Sequence, residues 1–131
     1  MSSMDETFYE HEQLLRAVWP ANRKPEFWEN GRLSSAALKD KKGLSVDRTY
    51  DRPISDAVAV MKRRFHGLIV SIAVPTCNAV NAHLVYKPSP VDPYHSEIHG
   101  SANDIELSDT QALLLARSAT IQYEPNSDFI V

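Results

Sequence analysis

The chain has 131 residues, 43% of them hydrophobic and 24% charged, with a formal net charge of -3. That size and balance fit one globular domain with its own core and exclude a chain disordered throughout. The slight acidic excess excludes a general nucleic-acid binder, because phosphate contacts need a basic surplus.

Met1 to Thr7 is polar and acidic and lacks the basic and apolar regions of a secretion signal. Ser3 to Val18 reads as a first helix. Ser3 and Glu6 have capping-box spacing, Phe8, His11, Leu15 and Val18 fall on one stripe, and Pro20 closes the pattern. His11 is then expected as a buried structural histidine. Ala21 to Leu33 reads as a connection, anchored to the core by Phe27 and Trp28. Ser34 and Ser35 open a short helix, Ser35 to Asp40, which Gly43 ends. Leu44 to Asp47 alternates as a short strand.

Ile54 to Phe65 is the clearest amphipathic helix, with Ile54, Ala57, Val58, Met61 and Phe65 at helical spacing. Lys62, Arg63 and Arg64 fall in its last turns, where cations suit the helix dipole; the alternative is a patch for an anion or an acidic partner. Leu68 to Val74 reads as a strand buried on both faces and ended by Pro75. Leu68 to Val80 is the longest apolar run, too short and too broken to span a bilayer, so no membrane role is expected. Cys77, the single cysteine, lies in that run and reads as a packed small hydrophobe. Without a second cysteine there is no internal disulfide, which fits a cytoplasmic setting.

Val80 to Lys87 and Tyr94 to His99 read as strands, joined by a stretch stiffened by Pro88, Pro90 and Pro93. Gly100 to Leu107 is a polar loop. Ser108 and Gln111 form a capping box that opens a last helix, Asp109 to Thr120. Residues 122–131 read as a tail. Its apolar end, Phe129-Ile130-Val131, is a candidate contact with this molecule or with a second copy, which would make a homo-oligomer. The fold expectation is α+β: one domain over residues 1–131, with a small, mainly antiparallel sheet of about four strands. Helices are expected at both chain ends and in the middle.

Three groups of residues carry candidate chemistry. In His95-Ser-Glu97-Ile-His99, a strand puts His95, Glu97 and His99 on one face. Imidazoles beside a carboxylate suit acid–base catalysis by His95 and Glu97, or a metal site if His83 joins from the preceding strand. A flat strand cannot easily give three ligands to one ion, so a metal is not favoured. The bland alternative is a solvated polar face. The second group is Arg32, Ser34 and Ser35, with Arg48 from the next strand: a serine-rich turn with arginines suits a small anion. Ordinary turn chemistry is its bland alternative. The third is Arg16, an arginine among apolar neighbours, which either snorkels to water or reaches into a ligand pocket.

The pattern Gly31-Arg-Leu-Ser-Ser35 through Lys39, then Gly43-Leu-Ser-Val46, then His95-x-x-Ile98-x-Gly100, resembles a group of small uncharacterised bacterial proteins. That resemblance implies a bacterial, stand-alone domain and supplies no activity. A looser similarity is to NAD-dependent ADP-ribosyltransferase-like folds, where an early arginine, a serine-rich segment and a late acidic residue line the pocket. Arg16, Ser34/Ser35 and Glu97 come in that order, with different spacing. The expected function is a binding module for a partner protein or a small anionic ligand. The alternative is a small enzyme using His95 and Glu97, as a metal-assisted hydrolase or an ADP-ribosyltransferase-like protein. Nothing in the sequence names a cofactor.

Overall fold

The computed structural model describes residues 4–125. Ser3 of the expected capping box and Phe129 to Val131 of the expected tail lie outside the described residues. Six strands form one antiparallel sheet: β1 (Gln13–Val18), β4 (Leu44–Arg48), β5 (Leu68–Ala73), β6 (His83–Tyr86), β7 (His95–His99) and β8 (Thr120–Tyr123). Their spatial order is β6-β7-β4-β1-β5-β8. A separate hairpin pairs β2 (Trp28–Glu29) with β3 (Arg32–Leu33). The helices are α1 (Ile54–Arg64), α2 (Val74–Ala79) and α3 (Asp109–Ser118).

The sheet is covered on both faces. Leu14, Val18, Val46, Val70, Ile72 and Ile98 point to the side of α2 and α3 and build the larger core with Cys77, Leu107 and Leu115. Leu15 and Ile69 point to the other side and pack on Ala57 and Met61 of α1. The α+β class therefore holds, with more strands than expected and no helix at the start of the described chain.

The largest correction falls on the first element. Residues 13–18 are not helical but form β1, near the middle of the sheet. A strand covered on both faces carries apolar residues in succession rather than in alternation. Leu14 and Leu15 enter opposite cores, and a run of that kind also matches a helical stripe. His11 consequently lies outside the core; it is exposed, stacks on Tyr9 and meets the Tyr50 carbonyl at 3.1 Å through Nε2. Two further elements differ. Pro75 does not end β5 but occupies the first turn of α2, where its missing N–H costs nothing. Thr120–Tyr123, expected as the end of a helix and the start of a tail, is the edge strand β8, paired with β5.

The short helix at Ser35 is a 3-10 turn, Ser35–Leu38. Other elements match their expected positions closely. α1 ends at Arg64, and α3 starts from the expected capping box, with Ser108 and Gln111 satisfying each other's backbone N–H. Cys77 is fully buried, and burial pushes its thiol up to about 12. No helix among the described residues is long and apolar enough to cross a membrane.

Candidate functional site

β1 and β4 pair only at Leu14↔Arg48 and Leu15↔Asp47, whereas β1 pairs β5 along all six of its residues. Beyond Leu15 the two strands part. The Arg16 guanidinium reaches across the split, and its Nη1 donates to the Ser45 carbonyl at 3.1 Å. The split opens into a cleft of about 420 Å³ lined by Arg16, Ala17 and Val46 and by Met61 and Arg64 of α1. Trp19, Phe27 and Phe65 give it aromatic walls, and Asp47, Asp92 and His95 give it a polar end. That volume falls in the ordinary range for small-molecule pockets.

Each polar group has a structural reason for its position. Asp47 and His95 are directly opposed partners on neighbouring antiparallel strands, so they share the α1 face. Asp92 comes from the proline-rich connection. A tight turn there exchanges backbone hydrogen bonds between Ser89 and Asp92, and Asp92 Oδ1 accepts the Tyr94 N–H at 3.1 Å. Arg64 descends from the last turn of α1. Its Nη1 lies 3.1 Å from Asp92 Oδ2 and 3.6 Å from Asp47 Oδ2. One guanidinium nitrogen thus holds two carboxyl groups together.

Two adjacent buried carboxyls do not both ionise easily. Burial, then the hydrogen bond and charge of Asp92, push Asp47 up to about 7 against the pull of Arg64 and Arg52. Burial opposes ionisation of Asp92 as well, but the hydrogen bonds from Asp47, Arg64 and the Tyr94 backbone outweigh it and hold Asp92 below the usual carboxylate value. Below about pH 7 and above the carboxylate range the pair shares one proton, held mainly on Asp47. His95 donates from Nδ1 to the Lys87 carbonyl at 2.9 Å, because a carbonyl can only accept. In the neutral ring this leaves Nε2 as the acceptor.

Arg16 and Arg52 each bury an Nε that has no hydrogen-bond partner, and of the two only Arg16 lines the cleft. Arg16 forms no ion pair among the described residues. Burial pulls its guanidinium below its ordinary value, and only the more distant charge of Asp40 opposes this.

The structure separates several residues that the sequence grouped. His95 lines the cleft, but Glu97 does not. Glu97 is held by His99 Nε2 at 2.7 Å and by Lys87 Nζ at 3.5 Å, so its oxygens are already engaged. His83 faces His99 across the β6–β7 pair, with ring centroids 6.3 Å apart. Among the described residues, no group of three or more His, Cys, Asp or Glu side chains is placed to hold a metal ion. Arg32 lies exposed on the β2–β3 hairpin, away from the cleft. Ser34 spends its hydroxyl on the Glu26 carbonyl and Ser35 starts the 3-10 turn; neither lines the cleft.

Arg48 is closed to any ligand, being fully buried against Glu12. Of the expected anion-binding set, Arg16 alone lines the cleft. Sequence reasoning missed Asp47 and Asp92, and it read Arg64 only as part of a charge run. Their signals were present, as a carboxylate in an apolar strand, an aspartate between prolines and an arginine closing a helix, but nothing in the sequence joined them.

No protein-family model, curated protein or solved structure matches this chain.

Proposed function

We propose that the protein binds a small organic anion with a flat apolar body in the cleft between β1 and β4. Arg16 is the observation that carries this reading: a half-buried arginine lining the cleft, with its Nε buried and unpartnered and no carboxylate ion-paired to it among the described residues. A buried charge is costly unless it is paired, and a ligand carboxylate or phosphate would supply the pair. The charge of Arg64 is already committed to Asp92 and Asp47. Trp19, Phe27 and Phe65 would cover the body of such a ligand. A bacterial, cytosolic setting belongs to the same proposal, supported by the sequence pattern and by the single buried cysteine.

Titration calorimetry with phenylacetate and with neutral phenylacetamide tests the reading. Phenylacetate is expected to bind at least about tenfold tighter, the equivalent of about 1.4 kcal/mol. Arg16→Met, which keeps the length of the side chain, is expected to remove that preference. Equal binding of acid and amide by the unaltered protein would overturn the proposal.

A further inference from the structure

The polar end of the cleft holds more than binding an anion requires. We infer that the cleft catalyses keto–enol tautomerisation of 2-oxo acids bearing an aromatic or other apolar group, with His95 as the base at carbon and Asp47 as the acid at the keto oxygen. The inference rests on the anion-binding reading, since Arg16 holds the substrate carboxylate.

The geometry supplies both proton-transfer groups on one wall. His95 and Asp47 are directly opposed across β7 and β4, which places their Cβ atoms about 5 Å apart. Both line the same cleft as Arg16, whose side chain leaves the opposite face of the sheet between Leu14 and Val18 and meets the cleft where β1 and β4 part. The Lys87 carbonyl fixes the His95 ring through Nδ1, so Nε2 is the nitrogen able to take a proton. Asp47 is only 5% exposed, and its burial beside the Asp92 carboxyl keeps a proton on the pair against the pull of Arg64. Glu97 cannot replace it, because His99 and Lys87 occupy its oxygens.

The chemistry balances without a co-reactant. The carboxylate of the 2-oxo acid pairs with Arg16, and its apolar group lies against the aromatic walls. His95 Nε2 removes a proton from C3. The electron pair of that C–H bond forms the C2–C3 double bond. The carbonyl π pair moves to oxygen, which takes the proton of Asp47 and becomes the enol hydroxyl. Asp47 is left as a carboxylate 3.6 Å from Arg64, which stabilises it, and His95 is left as an imidazolium. The reverse sequence returns the ketone. In D2O each cycle exchanges a C3 proton for deuterium.

The test uses phenylpyruvate, with binding read by calorimetry and C3 deuterium incorporation read by proton NMR against buffer alone. The unaltered protein is expected to bind it and to accelerate exchange. At saturating phenylpyruvate, with occupancy checked by calorimetry, Asp47→Asn and His95→Gln are each expected to slow exchange by about 10²-fold or more. The histidine variant keeps the test decisive if the aspartate variant fails to fold. Binding with exchange no faster than buffer overturns the inference and leaves the anion-binding reading standing. Exchange that survives His95→Gln unchanged in the folded variant also overturns it. Absence of binding for both phenylpyruvate and phenylacetate overturns the underlying reading itself.

Discussion

Glu12 and Arg48 meet as a bidentate pair with no solvent exposure on either side chain: Nε reaches Oε1 and Nη2 reaches Oε2, each at 2.8 Å. The rest of the guanidinium is also satisfied. Nη1 donates to the Asp5 carbonyl and Nη2 to the Thr7 carbonyl, with Phe8 stacked at 4.1 Å. The pair therefore fastens residues 5–12 over β4. Glu12→Gln would leave the Arg48 charge buried without its counter-ion, at a cost of about 3 to 5 kcal/mol. Urea unfolding checks this. The double change Glu12→Leu with Arg48→Met should recover most of the loss, because it removes both charges. Should the single variant match the unaltered protein, the pair has no such role.

The carboxyl pair predicts a pH dependence whose sign follows from linkage. An unfolded aspartate titrates near about 3.9, whereas Asp47 is raised to about 7 in the fold. From about pH 4 to 7 the folded state keeps a proton that the unfolded state has lost. Its contribution to stability is thus complete below about pH 4 and is lost as pH rises through 7. Asp92 shifts downward, so its contribution has the opposite sign and is lost only as pH falls below the ordinary carboxylate range. Asp47→Asn retains a neutral hydrogen-bonding side chain and should abolish the loss between pH 4 and 7. At pH 8 the variant is expected to be more stable by on the order of 2 to 4 kcal/mol. The difference between the two denaturation curves across pH 4 to 8 measures it, and a flat difference would contradict the assignment.

Gly43 shows how closely the loop before β4 approaches the β7 carboxylate. Its φ is +100°, in the left-handed region, and a Cβ there would collide with Glu97 Oε1 and stand 3.0 Å from His99 Nε2. Gly43→Ala should therefore cost about 1 to 3 kcal/mol, combining backbone strain with displacement of Glu97 from His99. Thermal unfolding of the variant, together with the NMR chemical shifts of the His99 ring, reads both effects. An alanine tolerated without change in either would show that the loop moves aside cheaply.

Much of the local structure was legible in the sequence, because it depends on neighbours. The spacing from Ile54 to Arg64 gave α1, and Ser108 with Gln111 gave the start of α3. The shared face of His95, Glu97 and His99 follows from alternation and matches the register of β7 against β4 and β6. What failed was long-range. A strand covered on both faces loses its alternation, so Leu14 and Leu15 read as part of a helix stripe. Whether His95 works with Glu97 or with Asp47 depends on cross-strand register and on who else claims the carboxylate. His99 and Lys87 claim Glu97, and no local pattern records that. The Asp47, Arg64 and Asp92 group joins a strand, a helix end and a proline-stiffened turn. Only the fold brings those three segments together.

The β2–β3 hairpin gives a prediction that separates turn chemistry from ligand contact. Asn30 and Gly31 both have positive φ, 52° and 78°, as a two-residue hairpin turn requires. Arg32 is exposed opposite Glu29, and charges at such an exposed site contribute little to stability. Ser34, by contrast, ties this arm together through its hydroxyl bond to the Glu26 carbonyl. Phe27 and Ala37, on either side of that bond, both line the cleft. Arg32→Ala should leave stability within about 0.5 kcal/mol and leave phenylacetate binding unchanged. Ser34→Ala should cost about 1 kcal/mol and weaken binding modestly by loosening the wall that carries Phe27. Calorimetric titration and urea unfolding of both variants distinguish these outcomes. A loss of ligand affinity in Arg32→Ala at unchanged stability would move the anion site from Arg16 to the hairpin.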